Sequence, residues 1–278
     1  MGGAWSATAS YGSPLTGEGK RLDVIKRRGS PRPPPAEPSK RNLNHLLGAL
    51  PVDDYARVQR ALETVTTRLK QILHKPGEPI GHVYFPGAGF CSVLTVLEDG
   101  RMVEVATIGR EGAVGLSAIL DGAPSPSAAM VQAEMDVCYR MTADDFRREM
   151  DRRGAFHELL TQFAQALVGF VMQSTACNAV HSIEQRLARW LLMARDRVES
   201  NGFPLTQEFA AMMLGASRPT VSVVAGTLQK AGLIKYHRGQ VTIIDGDALE
   251  KASCECYRTA TDLLNRVTSS RSRRDRSR

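Results

Sequence analysis

The chain has 278 residues, 42% of them hydrophobic, which is material for two domains with buried cores plus terminal extensions. No run approaches the roughly 18 consecutive apolar residues of a membrane span, the amino terminus lacks the apolar core of a secretory signal, and five scattered cysteines do not make a disulfide framework. A protein of the reducing cytoplasm, with no membrane partner, is therefore expected. The formal charge of +7 belongs to the tails: residues 1–41 hold eight basic side chains against three acidic, residues 266–278 hold six arginines against Asp275, and the body between them is net negative. Such tails draw phosphate non-specifically and do not identify a DNA-binding surface.

Residues 1–41 are rich in Gly, Ser and Pro, with Pro31-Arg32-Pro33-Pro34-Pro35 near their end and no apolar period. A disordered basic extension is expected there. Residues 42–153 read as the first folded unit. Up to Leu73 the pattern is helical, with Leu46, Leu47 and Leu50 before Pro51 and an Asp53-led helix after it. From Pro79 to Met141 short strands follow one another: His82–Phe85, Phe90–Leu97, the turn Glu98-Asp99-Gly100, Met102–Ile108, and two more between Ala129 and Met141. Antiparallel strands at this spacing make a small barrel or jelly roll.

A long helix is expected over residues 154–181, its pattern beginning at Thr142 or Gly154. Phe156, Leu160, Phe163, Leu167, Phe170, Ser174, Cys177 and His181 step by four and three alternately. That is a heptad seam, and its narrowness favours a parallel homodimeric coiled coil. Residues 182–250 form the next unit. Ser182 caps a helix from Ile183 to Val198, with Leu187, Trp190, Leu191 and Ala194 on its buried face. Residues 251–278 hold the rest of a last helix, Asp247–Val267, and an Arg/Ser tail, Ser269–Arg278, expected to be disordered.

The segment Pro204–Ile244 is the most informative. A helix from Gln207 to Leu214 ends at Gly215, which supplies the left-handed turn that a residue without Cβ tolerates. Ser217 is a helix N-cap, and Pro219 lies in the first turn, where its missing N–H costs nothing. Val221, Val224 and Leu228 recur at helical spacing before Gly232 ends the helix. A polar turn, His237-Arg238-Gly239-Gln240, then leads into the strand Val241–Ile244. This is a helix-turn-helix with a β-hairpin wing, and Ser217, Arg218, Thr220 and Ser222 would face outward where a recognition helix meets the major groove.

With a β-roll, a long helix and a winged helix-turn-helix in that order, the chain resembles the Crp/Fnr family of bacterial transcription regulators over roughly residues 42–250. The resemblance is strongest in LTQEFAAMMLGASRPTVSVVAGTLQKAGLI and in SIEQRLARWLLMARD. It implies an α+β fold with an antiparallel β-roll or jelly-roll sensor domain, a dimerisation helix and a winged helix-turn-helix. It also implies a homodimer on palindromic double-stranded DNA and contact with RNA polymerase. Arg218 aligns with the family's guanine-reading arginine, a bidentate contact to O6 and N7. Ser217, Thr220 and Thr206 align with phosphate-touching positions. Ser222, Val223 and the wing residue Arg238 complete the candidate DNA contacts. Pro219 and Val223 replace polar base-reading residues of better-known members, so the operator need not be the familiar one.

The sensor departs from the family pattern. A cyclic-nucleotide pocket needs an arginine for the phosphate and a glutamate for the ribose; these positions fall at or near Ser127 and at Leu116. Neither Lys nor Arg occurs between Glu111 and Tyr139, and Arg110 lies at the wrong end of the loop. Cyclic AMP and cyclic GMP are not expected to bind, since a buried phosphate without counter-charge is costly. No other cofactor is expected.

Residues 1–90 contain no cysteine, so an amino-terminal iron–sulfur cluster of the Fnr type is not expected. Cys177 and His181 lie one helical turn apart, with Cys254 and Cys256 near the carboxyl end. The plainer reading makes the first two register residues of the seam and the last two incidental; the alternative is a metal- or redox-responsive regulator using all four. No Walker loop, G-x-S-x-G elbow, HExxH or dinucleotide fingerprint is present, so an enzyme is not expected. The remaining alternative is a ligand-binding regulatory subunit without specific DNA readout.

Overall fold

The computed structural model describes residues 43–119 and 123–274. The extension expected at residues 1–41 and the last four residues of the Arg/Ser tail lie outside these.

Two short helices, α1 (His45–Gly48) and α2 (Val52–Gln59), open the fold. Asn44 caps α1 and donates its amide to the carbonyls of Pro86 and Gly112, both at 2.9 Å, which anchors the helix to the sheets. Seven strands follow: β1 (Glu63–Val65), β2 (Ile72–His74), β3 (His82–Pro86), β4 (Phe90–Val96), β5 (Met102–Ile108), β6 (Ala128–Ala133) and β7 (Cys138–Thr142), with a 3-10 turn at Leu116–Ile119. They form two antiparallel sheets, ordered β1-β7-β3 and β2-β6-β4-β5. Val83, Phe85, Phe90, Leu94, Val131 and Met141 belong to the buried core of this roll.

The helical pattern expected up to Leu73 is corrected here: helix ends at Gln59, and β1 and β2 occupy the remainder. β1 pairs with β7 through Glu63↔Arg140 and Thr64↔Tyr139, and β2 pairs with β6 through Ile72↔Met130. These are three-residue edge strands, too short to show an alternating pattern; ladder bonds to a neighbour fix them instead.

After the roll come α3 (Ala143–Asp151) and α4 (Ala155–Val180). Gly154 separates them, which resolves the open starting point of the long helix. The seam is also corrected. Phe156, Leu160, Phe163, Phe170, Ser174 and Cys177 are buried within their own chain. The amino-terminal half of α4 packs on the roll, where the Phe163 ring lies so close to Gly112 that a Cβ there would stand 2.4 Å from it. The carboxy-terminal half packs on the last helix. The period therefore matches an intramolecular partner helix only over the carboxy-terminal half, and the amino-terminal half of the same face is covered by the roll.

The carboxy-terminal half comprises α5 (Ile183–Val198), β8 (Gly202–Pro204), α6 (Gln207–Leu214), α7 (Arg218–Lys230), β9 (Ile234–His237) and β10 (Gln240–Ile243), with a sheet ordered β8-β10-β9. Ser182 and Gln185 form a reciprocal capping box at the start of α5. The chain then continues as α8 (Gly246–Ala252) and α9 (Cys256–Arg274). The single last helix expected from the sequence is thus two. Ser253 takes an extended conformation and its hydroxyl donates to the Glu250 carbonyl at 2.7 Å, which ends α8 and makes an elbow at Cys254. The Arg/Ser tail, expected to be disordered, continues α9 as far as Arg274.

The two halves meet along α5. Trp190 Nε1 donates to Glu104 Oε1 on β5 at 2.9 Å, and the Ser92 hydroxyl donates to the same carboxylate. Arg197 pairs with Glu111 at 2.7 Å. A cavity of about 470 Å³ lies in this junction, lined by Phe90, Gln132, Trp190, Phe203 and Phe209 among others.

Candidate nucleic-acid interface

The candidate interface is built by two helices and a hairpin. In α6, Thr206 is the N-cap, its hydroxyl accepting the Phe209 N–H at 3.2 Å. Gly215 ends the helix at φ 58°, the left-handed geometry that the sequence assigned to it. Ser217 then caps α7 by accepting the Thr220 N–H at 3.3 Å, and the two hydroxyls lie 2.8 Å apart. Pro219 sits in the first turn. The cap and the proline fix where α7 begins, and hence which side chains project from its first turn.

Val221, Ala225 and Leu228 form the buried face of α7. Ser217, Arg218, Pro219 and Thr220 are exposed, and Val223 is 70% exposed. Val223 is thus an apolar side chain on the otherwise polar exposed face of α7. Arg218 extends from the first residue of α7 to Glu208 on α6, Nη1 to Oε1 2.8 Å. Ser222 behaves differently from the expectation. It is half-buried, and its hydroxyl donates to Gln207 Oε1 at 2.6 Å. It joins the two helices instead of pointing freely outward.

The wing turns at Arg238 and Gly239, with φ 47° and 74°. A two-residue hairpin loop with both central residues at positive φ matches the twist of its strands. Arg238 accepts a conformation unusual for a side chain with Cβ, and it is exposed at the tip. Tyr236 holds the wing to the helices: its hydroxyl donates to the Leu205 carbonyl at 2.5 Å, and its N–H donates to Gln229 Oε1 at 2.7 Å. Burial pushes the Tyr236 phenol up to about 12, so it remains a donor at neutral pH.

Three residues join this surface that sequence reasoning did not single out: Gly226, Thr227 and Lys230. Thr227 and Lys230 are exposed on α7 beyond Val223. A Cβ added at Gly226 would meet nothing within 4 Å, so the glycine is not required by packing. A glycine inside a helix that packing does not explain was the available signal.

In the amino-terminal half, Leu116 and Ser127 lie on either side of the segment containing residues 120–122. Arg147 of α3 reaches the Ala118 carbonyl at 3.4 Å but also pairs with Asp144. Arg110 pairs with Glu199. The four metal-capable residues are brought together. Cys177 and His181 at the end of α4 meet Cys254 and Cys256 at the elbow before α9, all four donor atoms lying within 4.8 Å of one another. Cys254 and Cys256 thus pack against the end of α4, and Cys177 is buried within its own chain.

Comparison with known proteins gives two family matches: a cyclic nucleotide-binding domain over residues 65–153 and a Crp-like helix-turn-helix domain over residues 185–252. A comparison with curated protein sequences finds no match. Among solved structures, the chain is similar to a CRP-family transcriptional regulator from Thermus thermophilus, at 23% identity and TM-score 0.58, covering 68% of this chain and 96% of that one. It is similar to the c-di-GMP-responsive global regulator CLP of Xanthomonas campestris at 14% identity and TM-score 0.58, covering 70% and 100%. FixK2 from Bradyrhizobium japonicum matches at 16% identity and TM-score 0.54, covering 69% and 98%.

Proposed function

The chain belongs to the Crp/Fnr family of transcriptional regulators, non-enzymatic DNA-binding proteins, and from that premise we propose that it reads a palindromic operator as a homodimer in the cytoplasm and contacts RNA polymerase there. The observation that carries the readout is the Ser217-capped start of α7, which presents Arg218, Pro219, Thr220 and Val223 together to solvent. In this reading Arg218 leaves Glu208 and takes a guanine edge with two hydrogen bonds. Val223 packs on a thymine methyl. Ser217, Thr220 and Thr206 touch phosphates and set the register, as does Arg238 from the wing. Ser222 positions Gln207 and α6 against α7.

The dimer in this reading uses the outward face of α4. Thr161, Gln165, Val168, Met172, Thr175 and Ala179 are exposed and step by four and three alternately. Val168 and Met172 are 60% and 67% exposed. This is a second heptad seam opposite the buried one, and a second copy of α4 is the partner with matching period. Two-fold symmetry then sets two α7 helices about 34 Å apart, one turn of DNA.

Cyclic AMP and cyclic GMP are not the signal in this reading. The segment carrying Leu116 and Ser127 has no cation of its own, and Arg110 and Arg147 are already paired with Glu199 and Asp144. Control passes instead through the α5 junction, where Glu104 and Trp190 connect the roll to the DNA-binding half. Fluorescence anisotropy tests the readout. The protein should bind DNA from upstream of its own gene far more tightly than scrambled DNA, and Arg218→Ala should remove that difference.

A further inference from the structure

Outside the DNA interface, four metal-capable side chains converge from two distant parts of the chain. Cys177 lies in the last turn of α4 and His181 caps it; Cys254 and Cys256 flank Glu255 at the elbow between α8 and α9. Cys177 Sγ is 3.5 Å from Cys254 Sγ, and Cys256 Sγ is 3.5 Å from His181 Nδ1. All three thiols are buried and form a cluster apart from the main apolar core.

We propose that Cys177, His181, Cys254 and Cys256 bind one divalent d-block cation, zinc by chemical preference, in a tetrahedral site that clamps the end of α4 to the carboxy-terminal helices. Zinc–sulfur bonds of about 2.3 Å and zinc–nitrogen bonds of about 2.0–2.1 Å put neighbouring donors roughly 3.4–3.8 Å apart. Both 3.5 Å separations fall in that range. A disulfide would need its sulfurs at about 2.05 Å, and all five cysteines are free. A multi-iron cluster spreads its thiolates over separate irons and needs a more open set than this one.

The surroundings are those of a metal site. His181 Nε2 lies 3.3 Å from the Glu255 carboxylate. That pairing keeps the proton on Nε2 and turns the Nδ1 lone pair toward the thiols. Gln173 Nε2 donates to Cys256 Sγ at 3.0 Å, a contact suited to a thiolate. Two arginines of α5, Arg186 and Arg189, are each 7% exposed, and the Nε of each is buried without a hydrogen-bond partner. Both act electrostatically on the thiols. Three thiolates around one divalent cation leave a net negative charge, and the buried guanidiniums supply its counter-charge. Arg186 also donates to the carbonyl of Leu214, the last residue of α6. The site therefore adjoins the helix-turn-helix through one side chain, although metal binding itself does not depend on the DNA reading.

Metal analysis of the full-length chain purified under reducing conditions is the first measurement. One zinc per chain is expected, and cobalt(II) exchanged into the chelator-stripped protein should give the intense visible bands of a tetrahedral ion plus thiolate charge transfer. Cys254→Ser/Cys256→Ser should lose both while circular dichroism reports its fold. Where that variant fails to fold, two others decide. His181→Cys should keep the ion and strengthen the charge-transfer band, and Glu255→Gln should weaken affinity about 10–100-fold. Four outcomes overturn the proposal: a reduced chain with no bound metal and no cobalt bands, acid-labile sulfide with iron, a mass lower by two hydrogens that reports a Cys177–Cys254 disulfide, or an unchanged cobalt spectrum in His181→Cys.

Discussion

Arg218 Nη1 and Glu208 Oε1 stand 2.8 Å apart, joining the first turn of α7 to the first turn of α6 on the surface proposed to meet DNA. Both side chains are more than half exposed, so the pair contributes little to stability. Its importance lies in competition. In the proposed complex Glu208 would compete with a base edge for the guanidinium and bring a negative charge near phosphate. Glu208→Ala should tighten operator binding about 2–5-fold, the equivalent of the ~0.5–1 kcal/mol of an exposed pair, and leave the melting temperature nearly unchanged. Anisotropy titrations at fixed salt measure this; weaker binding would mean that Glu208 orients Arg218.

Gly226 separates stability from function. A methyl group added at this position of α7 would have nothing within 4 Å, so Gly226→Ala should stabilise the protein by about 0.5–1 kcal/mol through the better helix propensity of alanine. If the bare backbone lets α7 sit deep in the groove, the same change should weaken operator binding several-fold. Denaturant melts and anisotropy on one sample test both parts; full binding by the variant would remove Gly226 from the interface.

Much of the DNA-binding half was legible because its signals are local. Gly215, Ser217 and Pro219 each prescribe a backbone conformation, and the structure places the turn and the start of α7 where they indicate. The capping box at Ser182 is legible for the same reason. What was not legible depends on tertiary partners. The period of α4 announces a partner without saying whether it belongs to the same chain; the roll covers the first half of that face and α9 the second. The strands β1 and β2 are held by neighbours far along the chain. Cys177 and Cys254 meet only because Ser253 breaks the last helix, and nothing in the local sequence fixes that angle.

The two faces of α4 should respond differently to substitution. Phe163 is 1% exposed, so Phe163→Ala should cost about 3–5 kcal/mol in stability. Met172, 67% exposed, has no such role in the single chain. Met172→Glu should leave the fold intact and shift the protein from dimer to monomer, because like charges would face each other across the two-fold axis. Sedimentation velocity over a range of concentrations distinguishes them; an unchanged dimer would place the interface elsewhere.

Glu104 should make the domain junction pH-dependent. Burial pushes its carboxyl up from 4.5 to about 7, opposed by the hydrogen bonds from Ser92 and Trp190. Between these two values the folded chain keeps a proton that the unfolded chain has released. Stability from this group is therefore greatest below about 4.5, falls as pH rises toward 7, and is level above that. Relative to Glu104→Gln, the wild type should lose on the order of 1–3 kcal/mol across that window. Urea melts at several pH values test it, and parallel curves for the two proteins would contradict it.

The central claim, that α7 reads DNA as one half of a two-fold assembly, is tested most directly by genome-wide mapping of bound sites for the wild type and Arg218→Ala. The account predicts a palindromic motif with a guanine in each half and half-site centres about one helical turn apart, and its loss in the variant. Bound sites without two-fold symmetry, or a motif that persists in Arg218→Ala, would contradict it.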